Sequence, residues 1–383
     1  MEKREELQQE KKKWLEEVYG KICTKMSAEC TRVGDRIPYI PENGRYEGDL
    51  AETDVCWWTN GFWGGILWQM YHATGEEKYR LAAEGVENKM DAAFTSIGKL
   101  NHDVGFMWLH TAVADYRLTG DPLSRRRGLH AANLLAGRIN LNGGYIRAWN
   151  ESSFGGNAAG LAIIDCMMNI PLLYWASEMT GDSRFKTIAM EHADTVLAHT
   201  IRPDGSCNHI VVFDPDTGEY LDNPGGQGYE SGSSWSRGQS WAIYGMALSY
   251  AYTGEKRYLE AAKRTAHYFI ANVSMNGYVP LVDFRAPEEP VLIDTSAGVI
   301  AACGLLEIAS HVGELEQKLY MENAVRILRT LEEKYCDWDP ENDAVLGYGT
   351  GAYHGRRHYP IIYGDFFLLE GVLRLLGKEF LIW

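Results

Sequence analysis

The sequence predicts an all-α fold, an (α/α)6 barrel of six helical hairpins, and a recurring turn is the main observation behind this prediction. In each copy a helical stretch ends at glycine, an acidic or basic residue follows, and the clearest copies add an aromatic residue. The mean spacing of about 60 residues is typical of stacked helical hairpins and too long for common solenoid repeats. The copies occupy residues 71–79, 116–121, 177–185 and 250–258, with weaker copies at 310–314 and 376–378.

Each part of the turn has a physical reason. Glycine ends the first helix because it adopts the left-handed conformation at little cost. An acidic residue begins the next helix, where negative charge suits the helix macrodipole. The aromatic residue packs the second helix on the first, and following patterns such as residues 258–269 are apolar at helical spacing. Six hairpins closed into a ring give an inner and an outer barrel; an irregular helical domain with convergent turns is the alternative.

The long connections between hairpins are expected to gather at one face of the ring and to hold the functional site. They are rich in Gly, Trp and Tyr at residues 143–149, 208–218 and 225–241. Short β-hairpins are expected among these loops, such as one around Asp-Pro-Asp-Thr-Gly at residues 214–218. Because no Pro- or Ser-rich linker interrupts the chain, residues 1–383 are predicted to form a single domain.

Composition limits the partners and the location that we expect. A net charge of −15 disfavours nucleic acid and anionic membranes as partners. Seven cysteines, odd in number and without C-x-x-C spacing, indicate reduced thiols rather than disulfides or a zinc site. The charged N-terminus has no apolar signal segment, and no run reaches transmembrane length. We therefore expect a cytoplasmic protein, and the absence of metal-ligand, P-loop and dinucleotide motifs predicts no metal and no cofactor.

Two acidic residues are the candidate catalytic groups. Asp165 lies in residues 160–175, an apolar run that suggests a helix, where a carboxylate must have its pKa raised or find partners. A general acid working near neutral pH needs such surroundings. Asp103 precedes an apolar helical stretch, so a helix N-cap is an equally weighted alternative to catalysis. For Asp165 the alternative is a buried structural carboxylate.

Tryptophans in loops and at helix starts, together with interspersed acids, predict a carbohydrate cleft. Indole rings stack on the C–H faces of sugars, so a tryptophan-lined cleft with acids suggests a carbohydrate ligand; core packing is the alternative. Arg237 stands between aromatic residues, a setting suited to a carboxylate, with a structural ion pair as its alternative. His102 and His209 are further candidates. The tryptophans in question are Trp57, Trp58, Trp63, Trp149, Trp235 and Trp241.

Several sequence blocks resemble the unsaturated glucuronyl hydrolases of glycoside hydrolase family 88, in order and almost from end to end. The resemblance implies that the chain is one (α/α)6 catalytic domain. It also implies a hydrolase acting on lyase-generated glycosaminoglycan oligosaccharides, whose non-reducing end is a 4,5-unsaturated glucuronyl residue. The reaction implied is hydration of the C4=C5 enol ether, not direct attack at the anomeric carbon. The blocks are residues 58–68, 102–106, 163–169, 234–239, 294–297, 303–309 and 363–370.

The resemblance also implies roles for individual residues. The acid matching Asp165 protonates C4 and then activates the water that adds at C5. The acid matching Asp103 holds sugar hydroxyls and tunes Asp165 through like-charge coupling. His209 and Gln227 match polar residues around the double bond and its carboxylate, and Arg237 matches a cation that meets carboxylate or sulfate. The matching aromatic walls are Trp58, Trp149, Trp235 and Trp241.

The C-terminal region departs from the pattern of relatives that favour sulfated chondroitin disaccharides. Those members carry Ser-x-x-Ser-x-Lys, whereas residues 352–357 lack both hydroxyls and keep the charge at Arg357. We therefore expect a weaker preference for 6-sulfated substrate, with Tyr353 and Arg357 still helping to bind an acidic sugar. The glycosidic linkage, and the choice between monomer and homodimer, stay open.

Other functions remain as alternatives. Rhamnogalacturonyl hydrolases use the same barrel and hydration chemistry on unsaturated galacturonyl-rhamnose, but their paired motif blocks fit this chain less well. A non-catalytic sugar-binding protein would have the tryptophan wall without a buried acid. Sugar epimerases of this fold rely on histidine bases, which the acid at Asp165 disfavours.

Overall fold

The computed structural model describes residues 2–151 and 158–383, and in this part of the chain twelve main helices form two concentric rings. Odd-numbered helices form the outer ring and even-numbered helices the inner ring. Helix α4 is a run of three consecutive segments whose middle turn is π-helical. In chain order the helices are α1 (Glu2–Val33), α2 (Asn60–Thr74), α3 (Glu77–Met90), α4 (Val104–Trp108, Leu109–Val113 and Ala114–Thr119), α5 (Pro122–Ala136), α6 (Pro171–Thr180), α7 (Ser183–His199), α8 (Ser236–Thr253), α9 (Lys256–Met275), α10 (Thr295–His311), α11 (Glu314–Tyr335) and α12 (Ile362–Leu376).

Burial distinguishes the two rings. Inner helices are buried on all sides, as in residues 236–249 of α8 and 295–309 of α10. Outer helices bury one stripe at helical spacing, as α9 does with Tyr258, Ala262, Thr265 and Phe269. Helix α12 packs on α2, which closes the inner ring. The predicted (α/α)6 barrel is therefore confirmed, and the irregular alternative is excluded.

The glycine turns behave largely as predicted. Gly75, Gly120, Gly181 and Gly254 end inner helices with φ between 71° and 77°, and Gly377 ends α12 with φ 63°. Gly313 differs, because it is the extended N-cap of α11 with φ −67°. Of the acidic residues at these turns, Asp121 and Asp182 accept hydrogen bonds from the first turn of the next helix.

Short strands and turns occupy the connections. Strands β1 (Ile139–Asn140) and β2 (Tyr145–Ile146) form one antiparallel pair. Strands β3 (Leu161–Ile163), β4 (Ile210–Phe213) and β5 (Tyr220–Asp222) form an antiparallel sheet in that order. The β4–β5 pair confirms the hairpin predicted around residues 214–218. One-turn helical segments are Leu50–Thr53, Asp91–Thr95, Ile97–Lys99, Ala158–Gly160 and Ile164–Met168.

One large cluster of buried side chains extends from Trp14 to Trp383. Near its centre the indole of Trp383 stacks on Phe367, with ring centroids 5.8 Å apart, and donates to Glu370. The seven cysteines, all within the described residues, are free thiols. None of the described helices combines the length and the apolar character needed to cross a bilayer.

Candidate active site

A cleft of about 730 Å³ opens at the end of the barrel where the inner helices begin. Residues 53–58 of its lining precede α2, residues 98–103 precede α4, residues 149–151 and 163–165 precede α6, and Arg237 lies in the first turn of α8. Each inner helix begins at this face, and five of the six run to a glycine turn at the other end, so the positive ends of several helix dipoles gather here. This arrangement favours an anionic ligand in spite of the net charge of −15.

Asp165 lies in a short turn, not in the α-helix that its apolar neighbours suggested. Strand β3 ends at Ile163, Ile164–Met168 is a 3-10 turn, and α6 begins only at Pro171. The pairing of β3 with β4 holds this segment extended, and proline at the first helical position suits a late helix start. The turn leaves the side chain of Asp165 17% exposed in the lining of the cleft.

Asp165 is an ionised carboxylate with neighbours that favour its charge. Burial raises the pKa of Asp165, but His209, His102 and Arg237 together lower it by more, so the net shift is downward. Nε2 of His209 lies 3.6 Å from Oδ2 of Asp165. Neighbouring groups therefore stabilise the negative charge of Asp165, and it does not hold a proton in the free site.

Asp103 holds the proton that Asp165 lacks. It occupies the N-cap position of α4, yet its side chain makes no capping hydrogen bond to the described residues. Its Oδ1 instead accepts from Nδ2 of Asn169 at 3.5 Å and lies 3.4 Å from Nε2 of His102. Burial, followed by the charge of Asp165, raises the pKa of Asp103 to about 8. The N-cap alternative does not explain this side chain, and at neutral pH the carboxyl is protonated.

Asn169 joins the two acidic segments, and sequence reasoning missed this role. Its Oδ1 accepts from the N–H of Phe106 at 2.7 Å, and its Nδ2 donates to Asp103 and, at 3.3 Å, to the carbonyl of Asp165. A Cβ on Gly105 would lie 2.4 Å from Cα of Asn169, so glycine permits the close approach. The two acids are thus fixed relative to each other and titrate as a coupled pair.

His102 and His209 flank the pair from different segments. His102 is buried, and burial lowers its pKa to about 3, so its ring is neutral. The N–H of Ile164 donates to the carbonyl of His209 at 3.1 Å, so the β3–β4 pairing places His209 beside Asp165. The N–H of Gln227 donates to Nδ1 of His209 at 2.9 Å. The structure therefore brings these predicted site residues together.

Arg237 lines the cleft, but its guanidinium is held by protein groups. Nη1 lies 2.6 Å from Oδ2 of the buried Asp294. Nη1 also donates to the carbonyl of Thr350 at 2.5 Å, and Nη2 donates to that of Gly351 at 2.7 Å. The structural alternative, a buried ion pair, therefore describes these contacts, while the positive charge still lowers the pKa of Asp165.

The four predicted tryptophan walls divide into two groups. Trp58 and Trp149 line the cleft, and Trp58 packs on Tyr363 with ring centroids 5.1 Å apart. Trp235 is 2% exposed and packs behind the site, with its ring centroid 4.4 Å from that of His209. Trp241 is fully buried among core aromatics. Trp241 is therefore not a wall of the cleft, because it lies one turn inside an inner helix. Trp235 is not a wall either, but it supports the site by packing on His209.

Tyr353 and Arg357, near the C-terminus, do not line the cleft. Tyr353 is buried against Tyr229, with ring centroids 5.0 Å apart. Arg357 is exposed, and its Nε donates to the carbonyl of Tyr353 at 2.8 Å. Neither residue is among the described residues that line the cleft. The geometry therefore does not place them in direct contact with a ligand in this cleft. Their sequence neighbour Gly351 instead accepts from Gln227 at 2.7 Å.

Sequence reasoning missed most of the rim of the cleft. Trp57 is among the aromatic candidates from the sequence, but the polar rim residues form no recognisable sequence pattern. Arg138 and Asn150 fix part of this rim, since Nη1 of Arg138 donates to Oδ1 of Asn150 at 2.9 Å. The additional lining residues are Thr53, Asp54, Cys56, Trp57, Gly98, Lys99, Asn101, Asn150, Glu151 and Ile163.

Metal ligation has no evident place in the described residues, because no group of three or more His, Cys, Asp or Glu there is arranged to hold an ion. The site combines a carboxylate pair, two histidines, an amide and aromatic walls. This set suits proton transfer to and from a bound sugar.

Comparison with known proteins agrees with this fold and identifies the family. The model of Glycosyl Hydrolase Family 88 matches residues 31–279. The chain is 37% identical over 352 residues to the unsaturated glucuronyl hydrolase of Bacillus sp. (strain GL1), covering 90% of this chain and 92% of that protein. It is 33% identical to the unsaturated chondroitin disaccharide hydrolase of Streptococcus pyogenes serotype M1, covering 88% and 85% of the two chains.

A solved structure extends the match to three dimensions. The crystal structure of the unsaturated glucuronyl hydrolase from Bacillus sp. GL1 aligns with a TM-score of 0.87 at 35% identity, covering 94% of this chain and 96% of that one. The similarity thus spans both helical rings. The chain belongs to glycoside hydrolase family 88.

Proposed function

We propose that this hydrolase releases 4,5-unsaturated glucuronic acid from the non-reducing end of glycosaminoglycan oligosaccharides that polysaccharide lyases produce. The observation that carries the proposal is the pair Asp103 and Asp165, joined by Asn169 in an aromatic cleft, with the pKa of Asp103 raised and that of Asp165 lowered. The names of the two relatives, a glucuronyl and a chondroitin disaccharide hydrolase, support the substrate class.

The proposed reaction is hydration of the C4=C5 enol ether. A proton adds to C4, and positive charge develops on C5 and the ring oxygen. Water adds at C5 and gives up a proton, which leaves a hemiketal. The bond from C5 to the ring oxygen then breaks, C5 becomes a ketone, and the hemiacetal left at C1 expels the aglycone as an alcohol.

Asp165 is the group that we assign to both proton transfers. In the free site the pair holds its proton on Asp103. The carboxylate of a bound uronic acid adds a like charge and excludes water, and both effects raise the pKa of a neighbouring carboxyl. Asp165 thereby takes up a proton, donates it to C4, and as a carboxylate accepts a proton from the attacking water.

The other site residues bind and orient the substrate in this proposal. Trp58 and Trp149 stack on the sugar rings, and His102, with Asp103, contacts hydroxyls. His209 and Gln227 face the double bond and its carboxylate. The charge of Arg237 acts through space, because its described contacts are already with Asp294 and main-chain carbonyls.

We propose that the enzyme has only a weak preference for 6-sulfated substrates. Arg357 keeps the positive charge of the stretch that sulfate-preferring relatives carry, but it lies outside the lining of the cleft with Tyr353. The rim instead carries Asp54 and Glu151 beside the single lysine Lys99 in the described lining. Two carboxylates at the rim disfavour a sulfated aglycone by like-charge repulsion.

We propose that residues 1–383 act as one catalytic domain, monomeric or homodimeric, in the cytoplasm, where free thiols such as those of this chain persist. A hydrolase of unsaturated galacturonyl-rhamnose is the second candidate, since it uses the same barrel and chemistry. A non-catalytic sugar-binding protein is a weaker one, because stacking alone needs no coupled acids.

The experiment is a panel of unsaturated disaccharides from hyaluronan, chondroitin and heparin, with unsaturated galacturonyl-rhamnose as the rival substrate. The absorbance of the conjugated double bond is followed with time. We expect it to fall on at least one glucuronyl substrate, with lower kcat/KM on 6-sulfated than on unsulfated chondroitin disaccharide. Loss on galacturonyl-rhamnose alone would favour the second candidate, and a flat signal across the panel would refute the hydrolase.

A further inference from the structure

Residues 225–228 form a turn directly beneath the ring of His209. The N–H of Gly228 donates to the carbonyl of Gly225 at 3.0 Å, which closes the turn. Gly226, at its centre, has φ +61°. A Cβ on Gly226 would lie 2.0 Å from Nδ1 of His209 and 2.8 Å from Cδ1 of Ile210. Both the backbone conformation and the contact with the ring therefore require glycine.

The next residue in the turn presents a fixed donor to the same ring atom. The N–H of Gln227 donates to Nδ1 of His209 at 2.9 Å. Gln227 is itself fixed at two other points: its side chain donates to the carbonyl of Gly351 at 2.7 Å, and its carbonyl accepts from the N–H of Tyr353 at 2.9 Å. The donor is thus preorganised, and because an amide N–H cannot accept, Nδ1 must offer its lone pair.

We propose that the main chain of residues 226–227 holds His209 in the tautomer that carries its proton on Nε2, with Gly226 as a positioning residue. The ring has little freedom to escape this contact, since it is 5% exposed and packs on Trp235. The main-chain contact therefore decides which nitrogen is a donor, as hydrogen bonds to one ring nitrogen generally do for the other.

The protonated Nε2 is directed toward the catalytic acid. It lies 3.6 Å from Oδ2 of Asp165, and neither atom has a hydrogen-bond partner among the described residues. If the proposed function holds, Asp165 becomes a carboxylate as it gives its proton to C4. A donor already aimed at Oδ2 stabilises that charge as it develops, and the other tautomer would present a lone pair to it instead.

The test uses nitrogen NMR of the whole protein labelled at histidine, with the signal of His209 assigned by its loss in His209→Gln. We expect the wild type to show the proton on Nε2. In Gly226→Ala the added methyl displaces the ring, so we expect loss of that single tautomer and a fall in kcat on the order of 10-fold to 100-fold. Gly232→Ala is the matched control, with φ +78° in the same loop and no atom of the described residues within 4 Å of its Cβ; tautomer and kcat should stay unchanged.

Two results would overturn the proposal: a wild type with the proton on Nδ1, or a Gly226→Ala variant that keeps both the Nε2 tautomer and full kcat. Should Gly226→Ala fail to fold, the wild-type spectrum alone still decides. That spectrum needs no substrate, so its outcome is independent of whether the proposed hydrolase activity is found.

Discussion

Replacing Asp103 by asparagine should stabilise the fold at alkaline pH while impairing the site. The pKa of Asp103 is raised from its ordinary value of 3.8 to about 8, first by burial and then by the charge of Asp165. Between these pH values the folded chain holds a proton that the unfolded chain has released. The contribution of Asp103 to the free energy of unfolding is therefore largest below pH 3.8, and this contribution is lost as pH rises through about 8.

The shift sets the size of the effect. A shift of about four pKa units, at about 1.4 kcal/mol each, amounts to at most about 6 kcal/mol of unfolding free energy. An asparagine side chain at this position is a neutral isostere of the protonated acid. In Asp103→Asn the free energy of unfolding should therefore exceed that of the wild type at about pH 9 by several kcal/mol, and the difference should shrink toward about pH 4.

Urea unfolding of wild type and variant at three or four pH values measures this difference, and titrating groups that do not interact with Asp103 cancel between the two proteins. Asp165→Asn is the contrasting variant. Its pKa is lowered on folding, so its charge stabilises the fold above pH 3.8 and that contribution disappears in acid. The contribution of the Asp103 carboxyl to stability should thus change between pH 3.8 and about 8, whereas that of the Asp165 carboxylate should change only below pH 3.8. A stability difference for Asp103→Asn that does not change with pH would refute the reasoning.

Other substitutions separate chemistry from packing. Asp165→Asn should lose roughly three orders of magnitude in kcat and retain substrate binding; full activity would contradict its role. Trp241→Ala should cost about 3–5 kcal/mol of unfolding free energy, because Trp241 is fully buried. Trp58→Ala should mainly raise KM, and equal stability losses in both tryptophan variants would contradict the assignment. Arg237→Met leaves the buried Asp294 unpaired and should cost about 3–5 kcal/mol in urea unfolding; an unchanged midpoint would show that the pair is unimportant.

Features encoded locally were predictable. The turn at Gly181 needs only a residue that accepts positive φ, and the hairpin at residues 214–218 needs only turn-forming residues. Even so, Gly313 occurs in a similar phrase but caps the next helix with φ −67°. A short sequence motif therefore predicts the position of a turn better than it predicts the backbone geometry of that turn.

Features that depend on distant segments were not predictable. The apolar neighbours of Asp165 correctly marked it as buried, but the direction of its pKa shift depends on His209 and Arg237, which other elements supply. Trp241 follows a glycine-rich loop in sequence, yet it points into the core because α8 has already begun. Asn169 had no recognisable motif, since its role arises only when α4 and the 3-10 turn meet.

The central claim, hydration at C4=C5, is tested most directly by running the reaction in aqueous methanol and identifying the products by NMR. Methanol that replaces water at C5 forms a ketal, which cannot collapse. The account predicts a product that has lost the double bond, carries a methoxy group on C5 and keeps its aglycone. A methyl glycoside at C1 with the C4=C5 double bond intact would contradict it.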